Sequence, residues 1–166
     1  ALQGVDSESF RYDKAAGRFS VEPACMLSRP AWDLVQRMLE LGNLHMQLCA
    51  ATNAALEAKE GWSLLQQALC EALRDQLREY YKVLVVLMAK AADDPGGSSS
   101  SAPELTLRRL WTWLQAPLDR MRLLVSLSGS CAPLRGGALA SFVHGCSRVG
   151  DSLAQEACAA ILRRVV

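Results

Sequence analysis

The apolar residues of this chain recur at the spacing of an α-helix over two long stretches, and this periodicity constrains the fold more than any other feature. One stretch runs from Leu64 to about Ala92 and the other from Leu105 to Leu127. In the first, apolar residues return every three or four positions, while charged residues such as Glu71 fall on the opposite side. Residues so spaced share one face of a helix, so both stretches are predicted to be amphipathic helices packed on a core.

The first 27 residues follow a different pattern. Alternating residues at 10–12 and 18–21 flank a short run of turn-forming residues, which predicts a small β-hairpin. Because two strands alone are marginally stable in water, we expect this hairpin to lie against helices. Residues 1–27 are therefore interpreted as a hairpin with an extended lead-in.

A long helix is predicted to follow directly. Ser28 can cap it, Pro30 suits its first turn, and apolar residues at helical spacing extend it to about Leu56. Gly42 in its interior is less favourable than alanine by about 1 kcal/mol, so we expect a packing reason for it. The missing side chain would let another helix approach closely.

The second long helix contains a run from Val83 to Leu87 that is apolar nearly all round. We expect this run to be buried on two sides, either in the middle of a bundle or at a contact between subunits. Residues 28–92 are thus predicted to form two long helices. Residues 93–102 include a glycine- and serine-rich stretch and are predicted to be a flexible surface loop.

Residues 103–166 are predicted to form three to four shorter helices. Pro117 is expected to mark a break or a first-turn position between Trp113 and Leu118, because proline lacks the backbone N–H and clashes with the preceding turn. The chain is therefore predicted to be all-α, a helical bundle of about five to six helices with a small amino-terminal β-hairpin. Beyond Pro117, the predicted helices are Leu118–Ser128, Ala138–Val149 and a last one capped by Asp151.

Charge and hydropathy argue against two classes of partner. The chain has 18 basic and 17 acidic residues, a net charge of +1, so no strong electrostatic field favours nucleic acid or an anionic membrane. The longest apolar stretch, Val83 to Ala89, is too short to span a bilayer. We therefore expect no nucleic acid and no membrane among the partners.

The residue types that most often carry chemistry are scattered. The six cysteines show no Cys-x-x-Cys spacing, and reduced, mostly buried thiols of a cytosolic protein are the simplest interpretation. His144 and Cys146 fall short of the four ligands of a zinc site, and His45 is interpreted as a packed or surface residue. No cue pairs a cysteine with a histidine base, as a nucleophile requires. We predict no catalytic residue, no metal and no cofactor.

Six side chains are candidates for either the core or an interface. Trp111 and Trp113 straddle their helix, so at least one must pack outside the local core, and interface tryptophans are often energetic anchors. The sequence leaves open which of the six belong to the core. The remaining four are Arg108, Arg109, Tyr80 and Tyr81.

Several short motifs occur in an order that resembles one known family. In chain order they are Gly4-Val5-Asp6, Leu39 to Leu44, Leu64 to Leu84, Leu105 to Leu110, and Gly136 to Ala140 with His144 and Gly150-Asp151. Together they resemble the amino-terminal conserved (grip1-type) region of the gamma-tubulin complex component family. Glu79-Tyr80-Tyr81 and the spacing from His144 to Asp151 are most similar to the component-three branch, with component two as the alternative. The residues that depart from the family pattern are Ser7, Asn43 and Trp62.

The resemblance implies a function that residue chemistry alone does not reach. It implies that residues 1–166 are part of one helical amino-terminal domain of a non-enzymatic scaffold, which templates microtubule nucleation. The implied partners are other gamma-tubulin complex components, associated laterally, and gamma-tubulin, bound through a carboxy-terminal domain absent here. The implied location is the cytoplasm and cytoskeleton, at a microtubule organising centre or spindle pole.

Two further interpretations stay open at this point. The chain could be a helical adaptor that binds a partner's amphipathic helix, for which an open apolar groove along the second long helix would be the sign. It could also be a non-catalytic piece of an unidentified enzyme. In that case we expect a pocket lined by titratable groups with perturbed pKa values.

Overall fold

The computed structural model describes residues 1–22, 26–57, 63–92, 106–148 and 150–165. These residues form a two-stranded antiparallel sheet and five helices, which confirms the predicted all-α class with a small amino-terminal hairpin. Trp62 and the predicted loop at 93–102 lie outside the described residues. The elements are β1 (Phe10–Asp13), β2 (Arg18–Val21), α1 (Arg29–Glu57), α2 (Leu64–Ala92), α3 (Leu107–Cys131), α4 (Gly137–Cys146) and α5 (Ser152–Val165).

The chain divides into two compact units. The first comprises Ala1–Asn43 and Arg78–Leu118, and the second comprises Leu44–Leu77 and Asp119–Val166. The helices α1, α2 and α3 each contribute residues to both units. Each unit has its own buried apolar side chains, which include Leu41, Leu84 and Leu114 in the first unit and Leu73, Leu124 and Ile161 in the second.

The hairpin belongs to the first unit. Tyr12 of β1 lies opposite Phe19 of β2, and the centroids of their rings are 5.0 Å apart. Asp13 shapes the turn, because its Oδ1 accepts a hydrogen bond from the backbone N–H of Ala15 at 2.8 Å. Phe19 and Val21 are both buried, as the alternation of side chains along a strand requires. The hairpin therefore contributes one apolar face to the core of this unit.

The amino-terminal segment lies close to α1 at Gly42. A Cβ atom added there would lie 2.6 Å from the carbonyl oxygen of Ala1 and 3.3 Å from Cδ2 of Phe19. The expectation that a helix approaches at this glycine is therefore wrong, since its near neighbours are a backbone carbonyl and an aromatic ring. Asn43 stands beside it, and its Oδ1 accepts a hydrogen bond from the backbone N–H of Phe19 at 2.6 Å.

Both expectations for Pro117, a break and a first-turn position, are wrong, because α3 continues through this residue as one helix. A proline inside a helix removes a backbone hydrogen bond and costs about 3 kcal/mol. Leu114 and Leu118, on either side of it, are each only 1% exposed. Full burial of one such side chain contributes about 1.5–3 kcal/mol. Burial on both sides of the proline offsets its cost, so the helix continues.

The helix predicted to end at Val149 is shorter than expected, because α4 ends at Cys146. The hydroxyl of Ser147 donates a hydrogen bond back to the carbonyl oxygen of His144 at 2.7 Å, within the last turn. This bond satisfies one of the carbonyl groups that a helix end leaves without a backbone partner. Val149 itself lies outside the described residues.

Helices α4 and α5 pack against each other in the second unit, and each begins at a recognisable residue. Gly136 precedes α4 with φ +56°, a left-handed conformation that glycine adopts without steric cost. Asp151 caps α5 as predicted, because its Oδ1 accepts a hydrogen bond from the backbone N–H of Leu153 at 3.2 Å.

Candidate interaction surface

All six residues singled out in the sequence lie in the first unit, on α2 and α3. Tyr80 is buried, and its hydroxyl donates a hydrogen bond to the backbone carbonyl of Leu2 at 2.7 Å. Tyr81 is 40% exposed, and its ring centroid lies 6.0 Å from that of Tyr80. Tyr80 therefore holds the amino-terminal segment on α2, whereas Tyr81 lies at the surface.

On α3, the ring of Trp113 contacts two cations. The Nζ atom of Lys90 is 4.4 Å from the ring centroid of Trp113, and the guanidinium carbon of Arg109 is 5.0 Å from it. Such cation–π contacts contribute about 0.5–1 kcal/mol at exposed sites. Trp111 is half-buried and Arg108 is exposed. The structure thus joins Arg109 and Trp113 to a third residue, Lys90, that the sequence did not single out.

In the part of the chain that the structure describes, the apolar run of α2 is not buried on two sides. Leu84 is 3% exposed, but Val83 is 39%, Val85 is 62% and Val86 is 53% exposed. Burial in the middle of a bundle is therefore wrong for these valines. The other expectation, a contact between subunits, stays a prediction, and exposed contiguous apolar surface of this kind marks interaction sites in other proteins.

An apolar groove of about 450 Å³ lies in the same unit, next to this run. Met88 and Val5 stand at its edge with 59% and 63% of their surface exposed. Among the described residues that line it, Asp6 has the one carboxylate, which accepts a hydrogen bond from the backbone N–H of Tyr12 at 2.8 Å. The groove suits apolar side chains rather than acid–base chemistry. Its apolar lining consists of Ala1, Leu2, Val5, Leu84, Leu87, Met88 and Leu110.

Three of the buried thiols, those of Cys70, Cys131 and Cys158, are poor nucleophiles. Burial raises the pKa of the Cys131 thiol to about 11, and it also raises the pKa values of Cys70 and Cys158. Since the thiolate is the reactive form, these cysteines are unreactive near neutral pH. They are free cysteines, in line with the reduced, buried thiols expected from the sequence.

His45 is buried in the second unit, and its Nε2 atom lies 3.4 Å from the Sγ of Cys49. Burial lowers the pKa of His45, because a charged imidazole would lose its hydration there. Among the described residues, no three His, Cys, Asp or Glu side chains are placed to hold a metal ion. Within the same residues, no helix has both the length and the apolar character needed to cross a membrane.

The family model for the amino-terminal region of gamma-tubulin complex components ("Gamma tubulin complex component N-terminal") matches residues 1–166. The chain belongs to the gamma-tubulin complex component family. It is 35% identical to gamma-tubulin complex component 3 of Homo sapiens over 90% of its length. It is 32% identical to gamma-tubulin complex component 3 of Arabidopsis thaliana over 99% of its length. The resemblance to the component-three branch is thereby confirmed.

A more distant relative carries a different name. Spindle pole body component 98 of Dictyostelium discoideum is 26% identical over 90% of this chain. The chain spans 17% of the human, 20% of the Arabidopsis and 24% of the Dictyostelium relative. The similarity therefore covers nearly all of this chain but only about a fifth of each relative.

The sequence identified only part of what makes the exposed surface of α2 distinctive. It left Val85 and Val86 open between the middle of a bundle and a contact between subunits, and it did not single out Lys90. One signal could have found them: the segment 80–92 has two lysines and no acidic residue, and its apolar residues point in every direction. A helix buried on one side only must expose some of them.

Proposed function

We propose that residues 1–166 are part of one amino-terminal domain of a non-enzymatic scaffold in a gamma-tubulin complex. In this proposal the domain associates laterally with neighbouring components, and this association spaces gamma-tubulins to template microtubule nucleation. The observation that carries the proposal is family membership over the whole chain, combined with the exposed apolar surface of α2. A surface of this kind is the expected mark of a protein–protein contact.

The names of the relatives support the cellular setting of the proposal. Three of them are gamma-tubulin complex component 3 proteins from Homo sapiens, Arabidopsis thaliana and Drosophila melanogaster, and a fourth is a spindle pole body component. We therefore propose that this protein acts in the cytoplasm and cytoskeleton, at a microtubule organising centre or spindle pole. Gamma-tubulin would bind through a carboxy-terminal domain outside the present sequence, not through residues 1–166.

Sedimentation velocity on the full-length protein, which in this proposal includes the carboxy-terminal domain, tests this division of roles. The full-length protein and a variant lacking residues 1–166 are each run with a second gamma-tubulin complex component and, separately, with gamma-tubulin. We expect the deletion to abolish the heavier species formed with the second component and to leave co-sedimentation with gamma-tubulin intact. Loss of gamma-tubulin binding with retention of the second component would overturn the proposed role.

A further inference from the structure

The exposed side of α2 carries two neighbouring rows of side chains. Tyr81, Val85 and Met88 lie four and three residues apart, which puts them on one helix face. Lys82, Val86 and Lys90 follow one another at intervals of four, which makes a second row beside the first. All six side chains are exposed, and together they are called the α2 stripe: Tyr81, Lys82, Val85, Val86, Met88 and Lys90.

The charges of the α2 stripe have one sign. The segment 80–92 contains no Asp or Glu, while Lys82 and Lys90 stand at the two ends of the second row. Lys82 Nζ lies 2.7 Å from an oxygen of Glu79, but both side chains are more than half exposed, at 71% and 54%. Exposed pairs of this kind contribute little, so Lys82 can exchange this partner for another carboxylate. Lys90 rests its ammonium group on the ring of Trp113.

A second copy of this chain fits the α2 stripe poorly. If two copies paired antiparallel through the stripe, Lys82 of each would face Lys90 of the other. If they paired parallel, lysines at the same position would face each other. Both arrangements juxtapose like charges at an apolar contact, which is destabilising. The stripe therefore calls for a different surface with carboxylates.

We propose that the α2 stripe binds an amphipathic helix of a neighbouring gamma-tubulin complex component, a helix with an apolar row flanked by carboxylates. This inference rests on the proposed lateral association and names the surface that performs it. Lys82 and Lys90 are eight residues apart, or about 12 Å along the axis. Two acidic residues about two helical turns apart on the partner would pair with them, while Val86 between them packs on the partner's apolar row.

Zero-length cross-linking tests the charge pairing directly. A carbodiimide joins a lysine amine to a carboxylate only when the two are in contact, and mass spectrometry locates the linked residues. In the complex of the full-length protein with a neighbouring component, we expect Lys82 and Lys90 to be linked to Asp or Glu residues of one helix of that component. Links from these lysines only to a second copy or to gamma-tubulin would overturn the proposal.

Matched substitutions test the apolar row. Val86→Asp places a carboxylate in the middle of the stripe, and Leu64→Asp places one at the first residue of α2, where the side chain is 82% exposed. We expect Val86→Asp to weaken the association with the neighbouring component roughly tenfold or more. Leu64→Asp should leave it within about twofold of wild type, and circular dichroism should show both variants folded, since both positions are exposed.

A second pair of substitutions tests whether the position of a lysine in the stripe matters, rather than the net charge of the chain. Lys90→Glu and Lys14→Glu change the net charge equally, but Lys14 lies at the hairpin turn, outside the stripe. We expect Lys90→Glu alone to weaken the association. If folded Val86→Asp and Lys90→Glu variants assemble like wild type while deletion of residues 1–166 abolishes assembly, the stripe is refuted and the lateral role stands. If that deletion also leaves assembly intact, the lateral role is refuted with it.

Discussion

Replacing Gly42 with alanine sets two opposing effects against each other in the middle of α1. In an open helix, alanine is favoured over glycine by about 1 kcal/mol, because glycine loses more conformational freedom on folding. At this position, however, the new Cβ would lie 2.6 Å from the carbonyl oxygen of Ala1 and 3.3 Å from Cδ2 of Phe19. A carbon atom cannot approach a backbone oxygen so closely, so the amino-terminal segment must move.

The cost of that movement follows from what the segment holds. The carbonyl of Ala1 accepts a hydrogen bond from the backbone N–H of Gly4 at 2.9 Å, and the next carbonyl, of Leu2, accepts one from Tyr80 at 2.7 Å. Overpacking costs about 1–3 kcal/mol, and one weakened hydrogen bond adds about 0.5–1.5 kcal/mol. After subtraction of the helix preference of about 1 kcal/mol, we expect Gly42→Ala to lower the free energy of unfolding by about 0.5–3.5 kcal/mol.

Urea unfolding followed by circular dichroism measures the difference, with Gly129→Ala as the matched control. Gly129 lies in α3, and a Cβ added there has no neighbouring atom within 4 Å. We expect that variant to be as stable as wild type or more stable by up to about 1 kcal/mol, since only the helix preference changes. If Gly42→Ala matched Gly129→Ala in stability, the amino-terminal segment would not be docked on α1, and the reasoning would fail.

Three further predictions concern the second unit. Burial lowers the pKa of His45 in the folded chain below its ordinary value of 6.5. At pH values between the lowered pKa and 6.5, the unfolded chain therefore binds more protons than the folded chain. We therefore expect the free energy of unfolding to fall as the pH drops through 6.5, by at most about 1.4 kcal/mol per pH unit. Urea unfolding at several pH values should show this dependence on pH in the wild type and a weaker one in His45→Gln. Gln76→Leu removes the oxygen that accepts hydrogen bonds from Nε and Nη2 of Arg120 at 3.1 and 2.7 Å. We expect Gln76→Leu to lower the free energy of unfolding, measured by chemical denaturation, by about 1–3 kcal/mol. Gln76→Glu keeps the acceptor and should lower it less. Burial raises the pKa of Cys131 to about 11, so iodoacetamide at pH 8 should label it far more slowly than the half-buried Cys146. Equal labelling in the folded chain, read by peptide mass spectrometry, would contradict its burial.

Local patterns predicted the elements well where nothing distant competed with them. The hairpin residues and the limits of α1 and α2 follow from alternation, helical spacing and the turn residues between them. The break predicted at Pro117 was wrong because the prediction used only the local preference of proline. Burial of the leucines on both sides of it stabilises α3 and outweighs that preference. The early end of α4 coincides with a side-chain hydrogen bond of Ser147, which periodicity does not record.

The interaction surface could be predicted only in part, because the contacts between residues distant in sequence are not visible in the sequence. The sequence marked the run from Val83 as unusual and named Trp113 and Arg109, since composition and spacing are visible in one chain. It did not show that Lys90 covers Trp113, because that contact joins two helices separated in sequence. It also did not show that Val85 is exposed, because exposure depends on which elements pack against a helix.

The sequence by itself determined the class of the fold, the family and the absence of an evident catalytic pattern. Periodicity and ordered motifs are properties of the sequence itself, so they can be recognised without any knowledge of packing. Only the tertiary structure decided why Gly42 is a glycine, which of the two tyrosines is buried and which side of α2 is left uncovered. Each of these depends on atoms brought together from distant parts of the chain, and burial is a property of that assembly rather than of a residue type.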